Sequence, residues 1–315
     1  MRRRARLLLT ALAVTTVLLA GCADGGRQDS AQAGVDHATA GTSPAPATPP
    51  PPPQLPGGGT QVFPGHRLVG FAGAPGSPAL GPLTGDLTAA AARLREQEAG
   101  YGPDRPVLPV FELIATVAHD VPGPNGTYNT VTDDAAVQHY LDAARAAGAL
   151  LLLGIQPGTQ DFLPAVQHYA RWLTEPDVGL ALDPEWAVDP GQRPGDVFGS
   201  TTGAELDRVA GYLDGLVTAG GLPQKVLVYH QLNPGIVRDE QALTEHAGVA
   251  LVKSVDGIGA PAAKLATYQR VVATLPPFVH AGFKLFFEED TRSGPLMTPG
   301  EVLALAPRPE YVLYE

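Results

Sequence analysis

The sequence predicts an α/β protein whose folded part is a single (β/α)8, TIM-like barrel over residues 66–315, preceded by a signal peptide and a disordered proline-rich tether. Three observations favour this architecture. Eight short apolar runs recur along the chain, as expected of parallel strands that are buried on both faces. Helical patterns separate these runs. The region that contains them is about 250 residues long, which is the usual size of such a barrel.

The chain opens with a basic segment followed by an apolar one, a pattern typical of a secretory signal peptide over residues 1–21. The apolar stretch 7–20 is short for a stable membrane span. The run Leu19-Ala20-Gly21-Cys22 resembles the lipobox of bacterial lipoproteins. That resemblance implies cleavage before Cys22 and attachment of a palmitate-type lipid to it. We therefore expect the protein to be anchored in the cell membrane, on its extracytoplasmic face, with membrane lipid as a partner through Cys22.

Composition narrows the class of partner. The chain has 21 basic and 32 acidic residues, and without the four arginines of the signal peptide the balance is 17 to 32, a net charge of −15. Such a charge argues against nucleic acid as a partner. Cys22 is the only cysteine, so no disulfide is available to the exported domain. Stability must come from a hydrophobic core.

Residues 22–65 form the predicted tether. From 23 to 59 the chain consists mainly of Gly, Ala, Ser, Thr and Pro, with an unbroken proline run at 49–53. Proline-rich chain is extended and semi-rigid, so this segment would hold the domain away from the membrane.

The barrel prediction comes from the alternation of strand and helix patterns. Apolar residues recur at helical spacing in 137–144 and 206–216, and capping boxes start at Thr202 and Thr298. Strands that alternate with helices eight times favour a barrel over an open doubly wound sheet. The eight predicted strands are 67–72, 107–117, 149–155, 178–182, 225–229, 249–253, 279–287 and 310–314.

Loop lengths indicate which end of the barrel carries function. The connections from strand to helix are long, notably 118–131, 183–201 and 288–297, whereas those from helix to strand are short. In barrels the carboxyl-terminal face carries the active site. Asp183 and Glu185 follow the fourth strand on that face, and i and i+2 residues of a strand share a side.

Other polar residues follow strands on the same face. Glu112 differs from them because it lies inside the apolar second strand, where a carboxylate must be paired, protonated or in the barrel lumen. Lys284, in the seventh strand, is a possible partner for it. The other candidates are Gln156, His230, Gln231, Lys253, Asp256, Glu288 and Glu289 at strand ends, with His119, Asp120, Tyr128 and Asn129 in the second loop.

Acids, amides, bases and the aromatic Trp186 around one pocket suggest a carbohydrate site. Sugar recognition needs flat aromatic surface and dense hydrogen-bonding groups, and acetal hydrolysis needs two carboxyls. We therefore expect the catalytic residues to come from Asp183, Glu185, Glu288 and Glu289. The expected substrate-binding residues are Trp186, His230, Gln231, Gln156, Lys253, Asp256, Glu112 and Lys284.

At this level the chain resembles (β/α)8 glycoside hydrolases, in two versions. In chitinase-type and lysozyme-type barrels an Asp-x-Glu after the fourth strand supplies an orienting aspartate and a general acid, which implies these roles for Asp183 and Glu185. In the large retaining clan with acids after strands four and seven, Glu185 would be the acid/base and Glu288 or Glu289 the nucleophile. Pro184 stands where that clan has asparagine.

Several other functions lack their sequence signatures. No His-x-His follows the first strand and no Gly-x-Ser-x-Gly occurs, so we expect neither a metal nor a cofactor. With no repeat or coiled coil, we expect a monomer. The sequence thus favours a lipid-anchored glycoside hydrolase-like enzyme that uses Glu185 on an envelope or environmental glycan. The alternative is a lipoprotein that binds a glycan or another envelope component without turnover.

Overall fold

A computed structural model of the chain describes residues 51–102, 104–123 and 126–315. The predicted signal peptide, the lipidation site Cys22 and the tether up to residue 50 lie outside the described residues.

The fold is a closed barrel of eight parallel strands surrounded by helices, which confirms the predicted architecture. β1 pairs with both β2 and β11, and the β1–β2 pairing closes the sheet. In chain order the barrel strands are β1 (Arg67–Gly73), β2 (Val107–Ala118), β4 (Leu150–Ile155), β5 (Val178–Leu182), β7 (Lys225–Gln231), β9 (Val249–Val255), β10 (His280–Leu285) and β11 (Tyr311–Tyr314).

Three shorter strands are additional to the eight strands of the barrel. β3 (Asn129–Val131) pairs antiparallel with the end of β2, while β6 (Thr201–Thr202) and β8 (Val237–Arg238) form a separate parallel pair. The helices are α1 (Leu87–Glu98), α2 (Asp134–Ala147), α3 (Phe162–Gln167), α4 (Ala170–Leu173), α5 (Gly203–Gly220), α6 (Pro261–Val272) and α7 (Pro299–Leu303).

The fifth connection departs from the predicted regular alternation. Between β7 and β9 the chain, described in full there, contains β8 and the 3-10 turn Glu240–Ala242 but no α-helix. The segment begins with Leu232-Asn233-Pro234-Gly235, in which the proline and glycine favour a turn over a helix. Gly235 N–H donates to the Asn233 side chain at 2.9 Å, as expected of such a turn.

The two predicted capping boxes differ in the structure. At Thr298 both bonds of the box are present, so the prediction for α7 is confirmed. At Thr202 the hydroxyl accepts from the Glu205 N–H, but the Glu205 carboxylate accepts instead from the Phe162 N–H at 2.9 Å and the Thr201 hydroxyl at 2.6 Å. Glu205 therefore connects the start of α5 to the start of α3.

Two apolar layers hold the barrel. The larger lies between the strands and the helices, and the smaller fills the lumen with inward side chains such as Leu152, Ala181 and Val228. Because side chains alternate along a strand, the residue two positions after an inward-facing residue also faces inward. Towards the carboxyl-terminal face these inward positions become charged.

The lumen is covered at its other end by chain that precedes His66, the predicted start of the domain. Leu55, Val62 and Phe63 are buried and belong to the lumen layer. Val62 N–H donates to the side chain of Gln224, the residue before β7, at 3.0 Å. The folded region therefore begins before His66, because these apolar side chains cover the lumen.

Candidate active site

A cluster of buried charged side chains occupies the carboxyl-terminal end of the lumen. Glu112 on β2, Asp183 after β5, His230 on β7 and Asp256 after β9 are all buried and inward-facing. His230 Nδ1 lies 2.8 Å from Asp256 Oδ2. On the other side of the ring, His230 Nε2 lies 3.2 Å from Glu112 Oε1, an ion-pair contact without hydrogen-bond geometry, and 3.9 Å from Asp183 Oδ1. The imidazole therefore lies among three carboxyl groups.

Lys284 of β10 extends the cluster. Its Nζ lies 3.3 Å from Asp256 Oδ2 and 2.8 Å from Glu315 Oε2. Burial acts to raise the pKa of Glu112, but the charge of His230 and, after it, the charge of Lys284 lower this pKa overall. The direct contacts of Glu112 are to His230 and Tyr311.

Three members of the cluster were not predicted: Ser254, Tyr311 and Glu315. The Ser254 hydroxyl donates to Asp256 Oδ1 at 2.9 Å, and the Tyr311 hydroxyl donates to Glu112 Oε2 at 2.5 Å. Ser254 lies on β9 two residues before Asp256, so the alternation of side chains along a strand is the signal that predicts its inward position.

The cations and anions of the cluster stabilise one another's charges. Burial favours the neutral imidazole of His230, but the carboxylates of Asp256 and Glu112 outweigh it and raise the His230 pKa well above its usual value. Burial likewise acts to raise the pKa of Asp256, yet the positive charges of His230 and Lys284 hold it below its usual range. At neutral pH His230 and Lys284 are cations and Asp256 is a carboxylate.

Asp183 behaves differently from these carboxylates. Burial raises its pKa to about 6, against the opposing charges of His230 and Lys284. Gln156 Nε2 donates to Asp183 Oδ2 at 3.1 Å, so the predicted Gln156 orients this carboxyl.

Glu185 lies beside the cluster and lines a cleft. It lies in the 3-10 turn Pro184–Trp186, directly after β5, and not on a continuation of the strand as the i, i+2 pattern predicts. Proline at the first position of this turn ends the strand. Glu185 Oε2 is buried without a hydrogen-bond partner among the described residues.

Burial raises the pKa of Glu185 well above its usual value, and the charges of Asp183 and Asp256 raise it further. Both effects favour the protonated form of the Glu185 carboxyl. A protonated carboxyl at a cleft is a proton donor, which is the form required of a general acid.

The cleft at Glu185 has a volume of about 260 Å³. Trp186, predicted to bind substrate, lines it. The remaining wall comes from the long loop after β5, through Gly195, Asp196, Val197 and Phe198. Of these, Phe198 is an exposed aromatic residue that was not predicted from the sequence to belong to the site.

Two predicted binding residues lie on the opposite side of their strands. Lys253 is buried in the helix layer, with its Nζ 2.8 Å from Glu240 and 3.0 Å from the Val271 carbonyl of α6. Gln231 is one residue from the inward His230, and its Nε2 donates to the Asn233 carbonyl at 3.1 Å. Both are buried, so neither is accessible from the cleft that Glu185 lines.

Glu288 and Glu289 lie outside the charged cluster. They belong to the turn after β10, and each approaches the exposed Arg292 at 3.5 Å. The Glu288 side chain is 83 % exposed. Both line another cleft, of about 470 Å³, together with Arg93 and Phe287. The buried acid of this turn is Asp290, which pairs with Lys264 at 2.9 Å and supports the loop.

Three candidates of the second loop form hydrogen bonds within that loop or with the loops that follow β4 and β5. His119 Nε2 contacts the Thr130 hydroxyl at 2.8 Å, and Asn129 Nδ2 donates to the Pro157 carbonyl at 2.7 Å. The Asp120 carbonyl accepts from Arg193 at 3.2 Å.

Within 51–102, 104–123 and 126–315, no group of His, Cys, Asp and Glu side chains is arranged to hold a metal ion. No helix in the same part of the chain is long and apolar enough to cross a membrane. No protein-family model and no curated protein matches the sequence.

Proposed function

We propose that this protein hydrolyses a glycosidic bond in an envelope or environmental glycan, with Glu185 as general acid/base, while a lipid on Cys22 anchors it at the extracytoplasmic face of the cell membrane. One observation carries the catalytic part. Glu185 lies at the wall of an aromatic cleft on the carboxyl-terminal face of a barrel, with its Oε2 buried and unpaired within the described structure and its pKa raised by burial.

The chemistry needs a proton at the leaving oxygen. Glu185 donates its proton to the glycosidic oxygen as the bond from that oxygen to the anomeric carbon breaks. The anomeric carbon then develops positive charge, which nearby carboxylates stabilise. A water molecule adds to this carbon and returns a proton to Glu185, which restores the starting state.

Asp183 supplies the second carboxyl in this proposal. Its charge acts on Glu185, and its own pKa of about 6 makes the carboxylate available near neutral pH. The placement of Glu288 and Glu289 outside the cluster favours the chitinase-like and lysozyme-like version of the resemblance over a pair across strands four and seven.

The activity test uses the full chain purified in detergent and a panel of bacterial cell-wall and storage glycans. Release of new reducing ends by wild type, and not by the Glu185→Gln variant prepared in parallel, supports hydrolysis. Retention of a glycan that is never cleaved would overturn the enzymatic proposal and leave the binding alternative.

The anchor rests on the lipobox-like run and on the single cysteine of the chain. The Cys22→Ser variant should move from the membrane fraction to the soluble fraction, because its first mature position no longer accepts a lipid. Cell fractionation with labelled fatty acid measures both location and modification. Unchanged membrane retention of the variant would contradict the anchor.

A further inference from the structure

We propose that Phe198 and Trp186 form an aromatic subsite beside Glu185 that binds an uncharged sugar ring, so that the substrate of this cleft is a neutral and not an anionic glycan. The inference rests on the proposed function, since it names the substrate class of the same site. Three independent observations support it: the exposure of Phe198, the attachment of its loop to Glu185, and the charge of the surroundings.

Phe198 is exposed where aromatic side chains are normally covered. It is 69 % exposed, and it is the only aromatic among the six large apolar residues exposed in the described part of the chain. Its neighbour Val197, 41 % exposed, is another of the six, and both line the cleft with Trp186. Apolar surface that gathers at a cleft marks a binding site, and the C–H face of a sugar ring packs on flat aromatic surface.

The loop holds Phe198 at a defined place relative to the acid. Gly199, the next residue, donates its N–H to the Glu185 carbonyl at 2.6 Å, and Ser200 N–H donates to the Ala187 carbonyl at 2.9 Å. A Cβ on Gly199 would lie 2.1 Å from the Ala187 carbonyl oxygen, so only glycine permits this approach. Phe198 is therefore attached to the same turn that carries Glu185.

The electrostatic surroundings disfavour an anionic ligand. Among the described residues that line the cleft, Asp196 and Glu185 are ionisable and none is basic. Arg193, the basic residue of the loop after β5, donates instead to the Asp120 carbonyl at 3.2 Å. The charged groups that act on Glu185 are the acids Asp183 and Asp256 and the cation His230, so acids outnumber bases there as well.

The charge of the whole chain also disfavours an anionic ligand, since the formal net charge is −11. A uronate, sulfate or phosphate group in the cleft would meet the acid Asp196 and no basic side chain in the cleft wall. A neutral ring meets no such repulsion. It also leaves Glu185 free to protonate the glycosidic oxygen.

The test measures binding to the Glu185→Gln chain, so that bound oligosaccharide is not consumed. The probes are neutral hexamers of N-acetylglucosamine, β-1,4-linked glucose and α-1,4-linked glucose, with hexagalacturonate as the anionic probe. Trp186 reports binding through its fluorescence, because the other tryptophan, Trp172, is buried. Titration gives a dissociation constant for each probe.

At least one neutral hexamer should bind, and adding Phe198→Ala should raise its dissociation constant by about tenfold, since a large apolar contact is lost. Phe198→Tyr should restore affinity because it keeps the flat ring. Leu265→Ala, which also truncates an exposed apolar side chain but on helix α6, is the matched control and should change affinity less than twofold.

Each contrary outcome has a distinct meaning. Unchanged affinity in the Phe198→Ala chain would overturn the aromatic subsite, while cleavage by wild type would still uphold the proposed function. Binding of hexagalacturonate as tight as that of the best neutral hexamer, or no binding of any neutral hexamer, would overturn the neutral substrate. Binding that depends on Phe198, without cleavage by wild type, would uphold the subsite and overturn the hydrolase.

Discussion

The Glu185→Gln variant should turn over its glycan about 10²- to 10⁴-fold more slowly than wild type, which is the usual contribution of a general acid. The amide is nearly isosteric with the protonated carboxyl and forms the same cleft wall, but it has no acidic proton to donate. The loss should therefore fall on kcat, with little change in KM. Initial rates on the best substrate, measured over a range of concentrations, separate the two constants.

Glu288→Gln is the matched control for this prediction. Glu288 is also a glutamate of the carboxyl-terminal face, and the alternative resemblance would make it the nucleophile. Because its side chain is 83 % exposed and contacts only Arg292 among the ion pairs of the described chain, its replacement should leave kcat within about twofold. A loss as large as that of Glu185→Gln would instead support a catalytic pair across strands four and seven.

The Asp256→Ala variant should have a free energy of unfolding about 3–5 kcal/mol lower than wild type, the usual cost of removing one partner from a buried ion pair. Asp256 is the shared partner of His230 and Lys284 at 2.8 Å and 3.3 Å, and both cations are buried. Its removal takes away the carboxylate nearest to His230 and one of the two carboxylates that contact Lys284. Urea denaturation at pH 7 measures the difference.

The contribution of Asp256 should depend on pH in a defined direction. Its pKa lies below the ordinary value of 3.8 in the folded state, so its stabilising effect is present above that pH and is lost as the pH falls through the folded-state pKa. Asp207→Ala is the matched control, because Asp207 pairs with His246 at 3.0 Å but is partly exposed. It should cost only about 1 kcal/mol. Equal losses in the two variants would contradict a special role for the buried cluster.

The barrel was predictable because each strand is a short apolar run bounded by turn-forming residues. The fourth strand, 178–182, coincides with β5, and the other seven predicted strands overlap theirs. The absence of a helix from the fifth connection was not predicted. The strand–helix alternation predicts a helix there, but the Asn233-Pro234-Gly235 turn opposes one. Regular patterns elsewhere in a chain do not determine an irregular connection.

The inner half of the site was predictable for a physical reason. A charged residue within or just after an apolar strand, such as Glu112, His230 or Lys284, has to find partners in the lumen. At the ends of strands, the sequence does not distinguish side chains that face the lumen from side chains that face the helices. Lys253 was therefore predicted to bind substrate, although its side chain pairs with Glu240 in the layer between the strands and the helices. Tyr311 was overlooked, since a tyrosine in an apolar strand looks like core.

The cleft wall was the least predictable part. The position of Phe198 depends on how the long loop after β5 folds back onto the turn that carries Glu185, through the Gly199 and Ser200 backbone bonds. Such contacts join residues of one loop without any periodic signal. The sequence shows that this loop is long, and only the structure shows which of its side chains meet the acid.

The protonation state of Glu185 decides whether this residue can act as the proton donor, and its measurement needs no substrate. Infrared difference spectra of wild type minus Glu185→Gln, recorded across a pH titration, isolate this one carboxyl. We expect a protonated carboxyl band that persists at pH 7, well above the ordinary glutamate pKa of 4.5, because burial and the charges of Asp183 and Asp256 disfavour ionisation. Loss of that band near pH 4.5 would show Glu185 ionised at neutral pH and would contradict its role as the proton donor.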